Sequence, residues 1–142
     1  MIPKPQSVLG EAMRMFLPRA RRIPCDLASE VALVDPEGKR LLAGPVPAVL
    51  CNISESGCCI EMTSPLVAGR HLFYETLANG ACLLRLQVLE IQAHRLDCML
   101  LARSVWMAGV DEERPPGLRI GLQFLEPQRD LVRQIRRGPV AR

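Results

Sequence analysis

Three arginines near the start of the chain could bind a phosphate-bearing ligand. Arg19, Arg21 and Arg22 lie between Pro18 and the first strand-like stretch of the sequence. A guanidinium group presents a planar fork of donors, which can hold a phosphate with two hydrogen bonds or lie flat on a purine. The same residues are also compatible with a basic linker that is exposed to solvent.

A second polar segment, Asn52-Ile53-Ser54-Glu55-Ser56-Gly57, has residues suited to the same kind of ligand. Side chains two residues apart on a strand share a face, so Asn52 and Ser54 are expected to lie together. An amide donates and accepts hydrogen bonds, and a hydroxyl can bond a base, a phosphate or nearby backbone. Gly57 permits a sharp turn. An ordinary β-turn is the alternative interpretation, because Asn, Ser and Gly are all common in turns.

The chain lacks the signatures of the common enzyme classes. It contains two histidines, no G-x-S-x-G segment, no G-x-x-x-x-G-K loop and no G-x-G-x-x-G segment. Its six cysteines form no C-x-x-C pair, so we expect no metal site and no disulfide framework. We interpret the cysteines as small core residues in a reducing compartment. The sequence therefore predicts a binding module that is not an enzyme and needs no cofactor.

The charge of the chain is concentrated at its two ends. Residues 1–22 carry five basic residues against one acidic residue, and residues 127–142 carry the same balance, whereas the formal net charge is +3. Basic ends on an acidic middle suit an anionic ligand or partner, although a solubilising tail is the alternative for the last residues. Aromatic residues make up only 4% of the chain. Stacking platforms are therefore sparse, and a nucleic-acid partner is not expected.

The element pattern is a helix, a run of strands and a second helix. Residues 7–17 show apolar positions at helical spacing, with Ser7 as the N-cap and Pro18 as the stop. Strands are predicted at 23–34, 46–53, 58–63, 70–77, 84–91, 98–107 and 118–125, and a helix at 128–137. Turns are predicted at 35–38 and 54–57, Asn79-Gly80 indicates a hairpin, and a phase slip at 89–91 indicates a bulge. The spacing favours a mainly β protein, either an antiparallel barrel or a sandwich.

Taken together, these motifs resemble those of the PilZ family. The resemblance rests on the arginine cluster before the first strand, the N-x-S-x-x-G segment after the second, and the closing strand Gly121-Leu122-Gln123-Phe124. The runs 22–27 and 103–106 are similar to the first and penultimate strands of that family. The resemblance covers roughly residues 18–137. It implies a six- to seven-stranded antiparallel PilZ-like β-barrel with a C-terminal helix, and the ligand cyclic di-GMP (c-di-GMP).

The resemblance also assigns the site residues. The family motif [DN]-x-S-x-x-G is intact at Asn52, Ser54 and Gly57, whereas its R-x-x-x-R motif is incomplete. If Arg22 is the second arginine, the first falls on Pro18, and if Arg21 is the first, the second falls on Cys25. The expected ligand-binding set is therefore Arg19, Arg21, Arg22, Asn52, Ser54 and Gly57. Arg22 would stack on a guanine or pair with a phosphate.

The predicted organisation is an N-terminal helical extension at 1–17 and a barrel domain at 18–142. No apolar run is long enough to span a membrane and no signal-peptide pattern opens the chain, so we expect a cytoplasmic protein. The predicted role is a c-di-GMP receptor that changes its N-terminal segment on binding and signals to a protein partner, as in the control of motility or biofilm. The alternative is a degenerate PilZ domain that binds no nucleotide and acts as an adaptor for pilus or flagellar machinery. A homodimer is left open.

Overall fold

The computed structural model describes residues 22–78, 80–91, 94–110 and 117–137, with the side chains of 94–97 and 110 excepted. Six long strands form a closed antiparallel barrel, and a small two-stranded sheet and two helices accompany it. The elements are β1 (Ile23–Val34), β2 (Leu41–Ile53), β3 (Gly57–Met62), β4 (Leu66–Val67), β5 (Arg70–His71), α1 (Leu72–Thr76), β6 (Leu83–Ile91), β7 (His94–Val110), β8 (Gly117–Phe124) and α2 (Arg129–Arg137). The predicted barrel with a C-terminal helix is thus confirmed.

The barrel closes because β1 pairs with two strands that lie far apart in sequence. The strand order is β1-β2-β3-β8-β7-β6, and β1 pairs with β2 on one edge and with β6 on the other. The chain leaves the barrel after β3 through β4, β5 and α1, and returns to it at β6. Closure gives each of the six long strands a paired neighbour on both sides, which reduces the exposed strand edge that could promote aggregation.

Alternating side chains fill the interior of the barrel, as the sequence predicts. Leu84, Leu86 and Val88 of β6 are fully buried, and so are Ile120 and Leu122 of β8. Burying a large aliphatic side chain stabilises a fold by about 1.5–3 kcal/mol, so these residues supply much of the driving force for closure. The bulge predicted at 89–91 is present as a register shift between β6 and β7.

The strand predicted at 70–77 is wrong. Arg70 and His71 form the short strand β5, the chain then forms the helix α1, and Leu77 after it makes a single bridge with Ser104. The imidazole of His71 caps this helix by accepting a hydrogen bond from the Tyr74 backbone N–H at 3.3 Å. Leu72, Phe73 and Thr76 are buried, a spacing that fits one face of a helix turn. The β-favouring residue types are therefore overridden by tertiary packing.

The hairpin predicted at Asn79-Gly80 is also wrong, because the segment before it is helical and β6 pairs with β1 and β7. Asn79 itself lies outside the described residues. Gly80 closes a turn instead, since its N–H donates to the Leu77 carbonyl at 2.7 Å. The sequence signal marks a real turn, but the turn does not join two paired strands.

Several strand boundaries differ from their predicted positions. β2 begins at Leu41 rather than 46, because Ala43 and Leu41 already pair with the end of β1. β7 extends in both directions beyond the predicted 98–107. Two prolines and a glycine in β2 hide its strand pattern from sequence analysis. Pairing with a neighbouring strand, rather than local propensity, therefore decides where these strands start and end.

The C-terminal helix is confirmed as α2. Leu131, Val132 and Ile135 are buried and form the apolar stripe predicted for this helix. The helix predicted at 7–17, and with it the proposed extension, lies outside the described residues. Within the described part of the chain, no helix is long and apolar enough to cross a membrane.

The predicted turn after β1 is present and is held by Asp35. The Asp35 Oδ1 atom accepts hydrogen bonds from the backbone N–H groups of Lys39 at 2.8 Å and Arg40 at 3.1 Å. These backbone bonds hold the pKa of the Asp35 carboxyl below its usual value. A lowered pKa in the folded state means that the carboxylate stabilises the fold at neutral pH.

We therefore expect Asp35→Ala to lower the melting temperature at neutral pH. The lowered folded-state pKa makes the wild-type advantage complete above the unfolded-state pKa of about 3.9, and the advantage is lost as the pH falls through the folded-state pKa. Thermal unfolding of both proteins at about pH 7 and about pH 2.5 measures this difference. An equal gap at both pH values would show that the carboxylate charge has no role in the turn.

Candidate ligand-binding site

The pairing of β1 with β2 brings the first arginine next to the N-x-S-x-x-G segment. Ile23, the first residue of β1, pairs with Ile53, the last residue of β2. Arg22 precedes that pair and Ser54 follows it, so the two residues lie side by side at one end of the barrel. Arg22 is exposed. Its cation lies close enough to the Cys58 thiol to lower the pKa of that thiol, against a larger rise caused by burial.

Asn52 lies on the outer face of the same end of the barrel. It pairs with Pro24 of β1 and Cys59 of β3 and is half-buried. Within the described residues, neither the Asn52 amide nor the Arg22 guanidinium has a hydrogen-bonding partner. Both groups therefore remain available to a ligand that approaches this end of the barrel.

Ser54 shapes the turn rather than facing solvent. It is 1% exposed, and its hydroxyl donates to the Gly57 carbonyl oxygen at 3.3 Å. Its backbone N–H donates to the same oxygen at 2.8 Å. These two bonds close the turn, so the Ser54 hydroxyl proton is committed to the turn. The expected sharing of one face by Asn52 and Ser54 is thus replaced by a half-buried amide on the outer face and an inward hydroxyl.

Gly57 is required by a close approach of two strands. It begins β3 and pairs with Gln123 of β8, and a Cβ atom at this position would collide with the carbonyl oxygen of Leu122. The obstructing atom belongs to the backbone, so it cannot rotate away as a side chain would. The glycine of the motif therefore permits the contact between β3 and β8 that closes the barrel beneath the site.

The turn is also attached to the C-terminal helix. The Gln128 N–H donates to the Glu55 carbonyl oxygen at 2.8 Å, and the Phe124 N–H donates to the Ser56 carbonyl oxygen at 2.8 Å. The Glu55 carboxylate lies 3.4 Å from the Arg129 guanidinium, in an exposed ion pair that contributes little to stability. These backbone bonds hold the turn at residues 54–57 rigidly against the start of α2. We call this turn the ledge.

Two further polar residues adjoin the ledge and were not predicted as site residues. Gln123 of β8 pairs with Gly57, and Arg103 of β7 pairs with Gln123, so the three form one row across the barrel. Gln123 is exposed, and the half-buried Arg103 donates to the Leu77 carbonyl oxygen at 3.4 Å. The sequence places Gln123 outside by alternation, but only the pairing of β3 with β8 places it beside Gly57.

Trp106 covers the next row of the outer face. Its indole lies directly over Gly121, so that a Cβ atom at Gly121 would collide with the ring. Gly121 pairs with Cys59, which in turn pairs with Asn52. The indole thus forms one side of the surface on which the Asn52 amide lies.

Gly121→Ala is expected to displace the indole of Trp106, because the added methyl group would occupy the space of the ring. Trp106 is the only tryptophan in the chain, so its fluorescence emission reports this movement directly. We expect a shift of the emission maximum to longer wavelength as the ring meets more water. An unchanged spectrum in the folded variant would show that the indole does not depend on Gly121.

Arg19 and Arg21 lie outside the described residues, so their part in the site stays a prediction. Of the predicted set, the structure brings together Arg22, Asn52, Ser54 and Gly57. Among the described residues, no group of three histidines, cysteines or carboxylates could hold a metal ion. The chemistry of this end of the barrel is that of an exposed guanidinium and an amide on a rigid ledge.

Comparison with known proteins bears on the fold. No protein-family model matches the chain, and no curated protein sequence matches it. The crystal structure of the Borreliella burgdorferi PlzA protein in complex with c-di-GMP is similar, with a TM-score of 0.51 and 12% identity over 84% of this chain and 50% of that chain. The K. pneumonia MrkH–c-di-GMP complex has a TM-score of 0.47 and 16% identity, over 84% of this chain and 49% of that chain.

The chain thus spans about half the length of these two proteins. At such low identity the likeness concerns the fold. It agrees with the closed six-stranded antiparallel barrel that the sequence predicts.

Proposed function

We propose that the protein is a binding module for c-di-GMP rather than an enzyme. The observation that carries the proposal is that the pairing of β1 with β2 places Arg22 and Asn52, two unpartnered polar side chains among the described residues, at the same end of the barrel beside the turn that ends at Gly57. The PlzA protein, whose structure is similar over 84% of this chain and 50% of its own, is in complex with c-di-GMP. The ligand combines two phosphates with two guanine bases, which are the groups that a guanidinium and an amide bind best.

Each site residue has a distinct role in this proposal. The Arg22 guanidinium stacks on a guanine or pairs with a phosphate, and Arg19 and Arg21 add positive charge from the preceding segment. The Asn52 amide bonds a base edge. Ser54 and Gly57 hold the ledge, since both act on the turn and on the contact with β8. Gln123 adds a further amide at the rim of the same surface.

A thermal-shift measurement tests this proposal. If the dissociation constant is about 1 μM, then about 100 μM ligand stabilises the fold by about 2.7 kcal/mol. For a domain of this size, we expect the melting temperature to rise by roughly 6–10 °C. GMP at the same concentration is the control, because it carries one base and one phosphate. A melting temperature that stays unchanged with c-di-GMP would contradict the proposal.

We further propose that binding orders the arginine segment and changes the position of residues 1–17, which then signal to a protein partner in the cytoplasm, in pathways such as motility or biofilm formation. The basic charge of residues 1–22 supports this role, since positive charge attracts an anionic ligand. Limited proteolysis tests the change. Cleavage within residues 1–22 should slow when c-di-GMP is bound, and equal cleavage rates would contradict it.

The incomplete arginine motif favours a second candidate, an adaptor that binds proteins and no nucleotide. In that case the apolar positions of residues 7–17 would contact the partner. Deletion of residues 1–17 discriminates between the two functions. It should leave the thermal shift with c-di-GMP in place if the first proposal holds, whereas the adaptor shows no shift with or without these residues.

A further inference from the structure

Four of the six cysteines lie on three adjacent strands beside the candidate site. Cys25 is on β1, Cys51 is on β2, and Cys58 and Cys59 are on β3, and all are free thiols. The barrel interior accounts for Cys58, which belongs to the core. Cys59 follows it and therefore faces outward, yet it is only 3% exposed. Neighbouring groups on the outer face must cover it.

Cys51 is the neighbour that meets Cys59. The pairing of β2 with β3 shifts register between Leu50 and Asn52, and Cys51 is the bulged residue at that shift. The bulge turns Cys51 toward Cys59, because the Cys51 Sγ donates a hydrogen bond to the Cys59 carbonyl oxygen at 3.2 Å. The Cys59 Sγ itself donates to the Ile60 carbonyl oxygen at 3.9 Å, and the side chains of Cys51 and Cys59 lie close enough for each to alter the pKa of the other. Adjacent strands lie about 4.8 Å apart, a spacing that allows the Cα separation of about 4.4–6.8 Å found in disulfides.

The two thiols differ in exposure and acidity. Cys51 is half-buried and in part open to solvent, whereas Cys59 is enclosed. Interaction with the Cys59 side chain lowers the pKa of the Cys51 thiol, and the Arg119 cation lowers it further, against opposing effects of burial and Glu61. The same interaction, together with burial, raises the pKa of Cys59. An accessible, acidic thiol beside a second thiol is the arrangement of a pair that oxidises in two steps.

We propose that Cys51 and Cys59 are a redox modification site that forms a reversible disulfide on reaction with hydrogen peroxide. The Cys51 thiolate attacks one peroxide oxygen, the O–O bond breaks, and water leaves after the other oxygen takes a proton. The Cys59 sulfur then attacks the sulfenic acid sulfur of Cys51. The S–O bond breaks, and the hydroxide leaves as a second water with the Cys59 proton. The two sulfurs lose two electrons and the peroxide gains them, and a dithiol reductant reverses the bond.

The pair of Cys51 and Cys59 lies next to the candidate site, so its oxidation would affect that site directly. Asn52 follows Cys51 in the chain and pairs with Cys59 across the strands. A disulfide would fix the bulge that sets the direction of the Asn52 amide. Formation of the bond itself depends only on the two cysteines and is independent of the proposed ligand.

Peptide mapping of the peroxide-treated full chain tests the proposal. After complete reduction and a small molar excess of hydrogen peroxide, we expect two of the six thiols to disappear and a mass decrease of two hydrogens. Cleavage after Glu55 separates Cys51 from the peptide that contains Cys58 and Cys59, so a linked pair of peptides identifies the bond. Dithiothreitol should restore all six thiols.

Three serine variants, each checked for a wild-type-like far-ultraviolet spectrum, assign the partners. Cys51→Ser and Cys59→Ser should each abolish the link, whereas Cys58→Ser, which differs from Cys59→Ser by one position, should retain it. Cys82→Ser is a second control. Cys82 lies beside Glu75 of α1, in the segment that connects β3 with β6. Linkage of Cys51 to Cys25, oxidation of Cys51 to a sulfinic acid with no link, or retention of all six thiols in the wild-type protein would each overturn the proposal.

Discussion

Gly57→Ala is expected to destabilise the protein by about 2–4 kcal/mol. This is the largest loss of stability that we expect from the addition of one methyl group to the site. The added Cβ would meet the Leu122 carbonyl oxygen, a backbone atom held in the ladder between β3 and β8. This collision is relieved only if β3 and β8 separate at this point of the barrel. The turn that Ser54 holds through the Gly57 carbonyl would move with them.

Urea unfolding measures this loss as a lower midpoint concentration at an unchanged slope. Ser56→Ala is the matched control, because it alters the neighbouring position of the same turn. The Ser56 hydroxyl is buried and, among the described residues, has no hydrogen-bonding partner. Its removal should change the free energy of unfolding by no more than about 0.5 kcal/mol or raise it slightly. Equal stability of Gly57→Ala and the wild type would contradict the close approach of β3 and β8.

Arg22→Ala is expected to weaken c-di-GMP binding about ten- to a hundredfold, with little change in stability. The loss of one charge-assisted hydrogen bond costs about 1.5–3 kcal/mol, which corresponds to that change in affinity. Arg22 is exposed and lies beside Ser54 at the end of the barrel, so it is positioned for the ligand rather than for the core. Arg22→Lys should restore only part of the affinity, because an ammonium group offers no planar fork.

Arg40→Ala is the control for charge alone. Arg40 is also exposed, and it precedes β2 next to the opposite end of β1. Equilibrium binding at one fixed salt concentration compares the three variants with the wild type, since salt alters any electrostatic contribution. An equal loss in Arg22→Ala and Arg40→Ala would indicate diffuse attraction rather than a contact at the ledge.

Regular elements with a local signature were predictable from the sequence. β1, β8 and α2 were placed almost to their ends, because side chains alternate in β8 and repeat at helical spacing in α2. The segment 70–77 was not, because Phe73 and Tyr74 favour strands locally and the helix depends on His71 as a cap and on burial of Leu72. The choice between helix and strand there is made by contacts with the rest of the barrel.

The site was predictable in its residues but not in its geometry. The motif at 52–57 identified Asn52 and Gly57, yet the reason for Gly57 is the carbonyl of Leu122, more than sixty residues later in the chain. No local pattern indicates that β3 pairs with β8, so Gln123 could not be assigned to the site. The contact between Cys51 and Cys59 depends on a bulge at Cys51 that has no sequence signature.

Titration calorimetry of the full chain with c-di-GMP tests the central claim most directly, since it measures binding without any assumption about stability. We expect a saturable heat signal with a dissociation constant tighter than about 100 μM, lost or strongly reduced in Arg22→Ala and retained in Arg40→Ala. The absence of heat with c-di-GMP at concentrations up to about 100 μM, as with the control ligand GMP, would contradict a c-di-GMP site on this barrel.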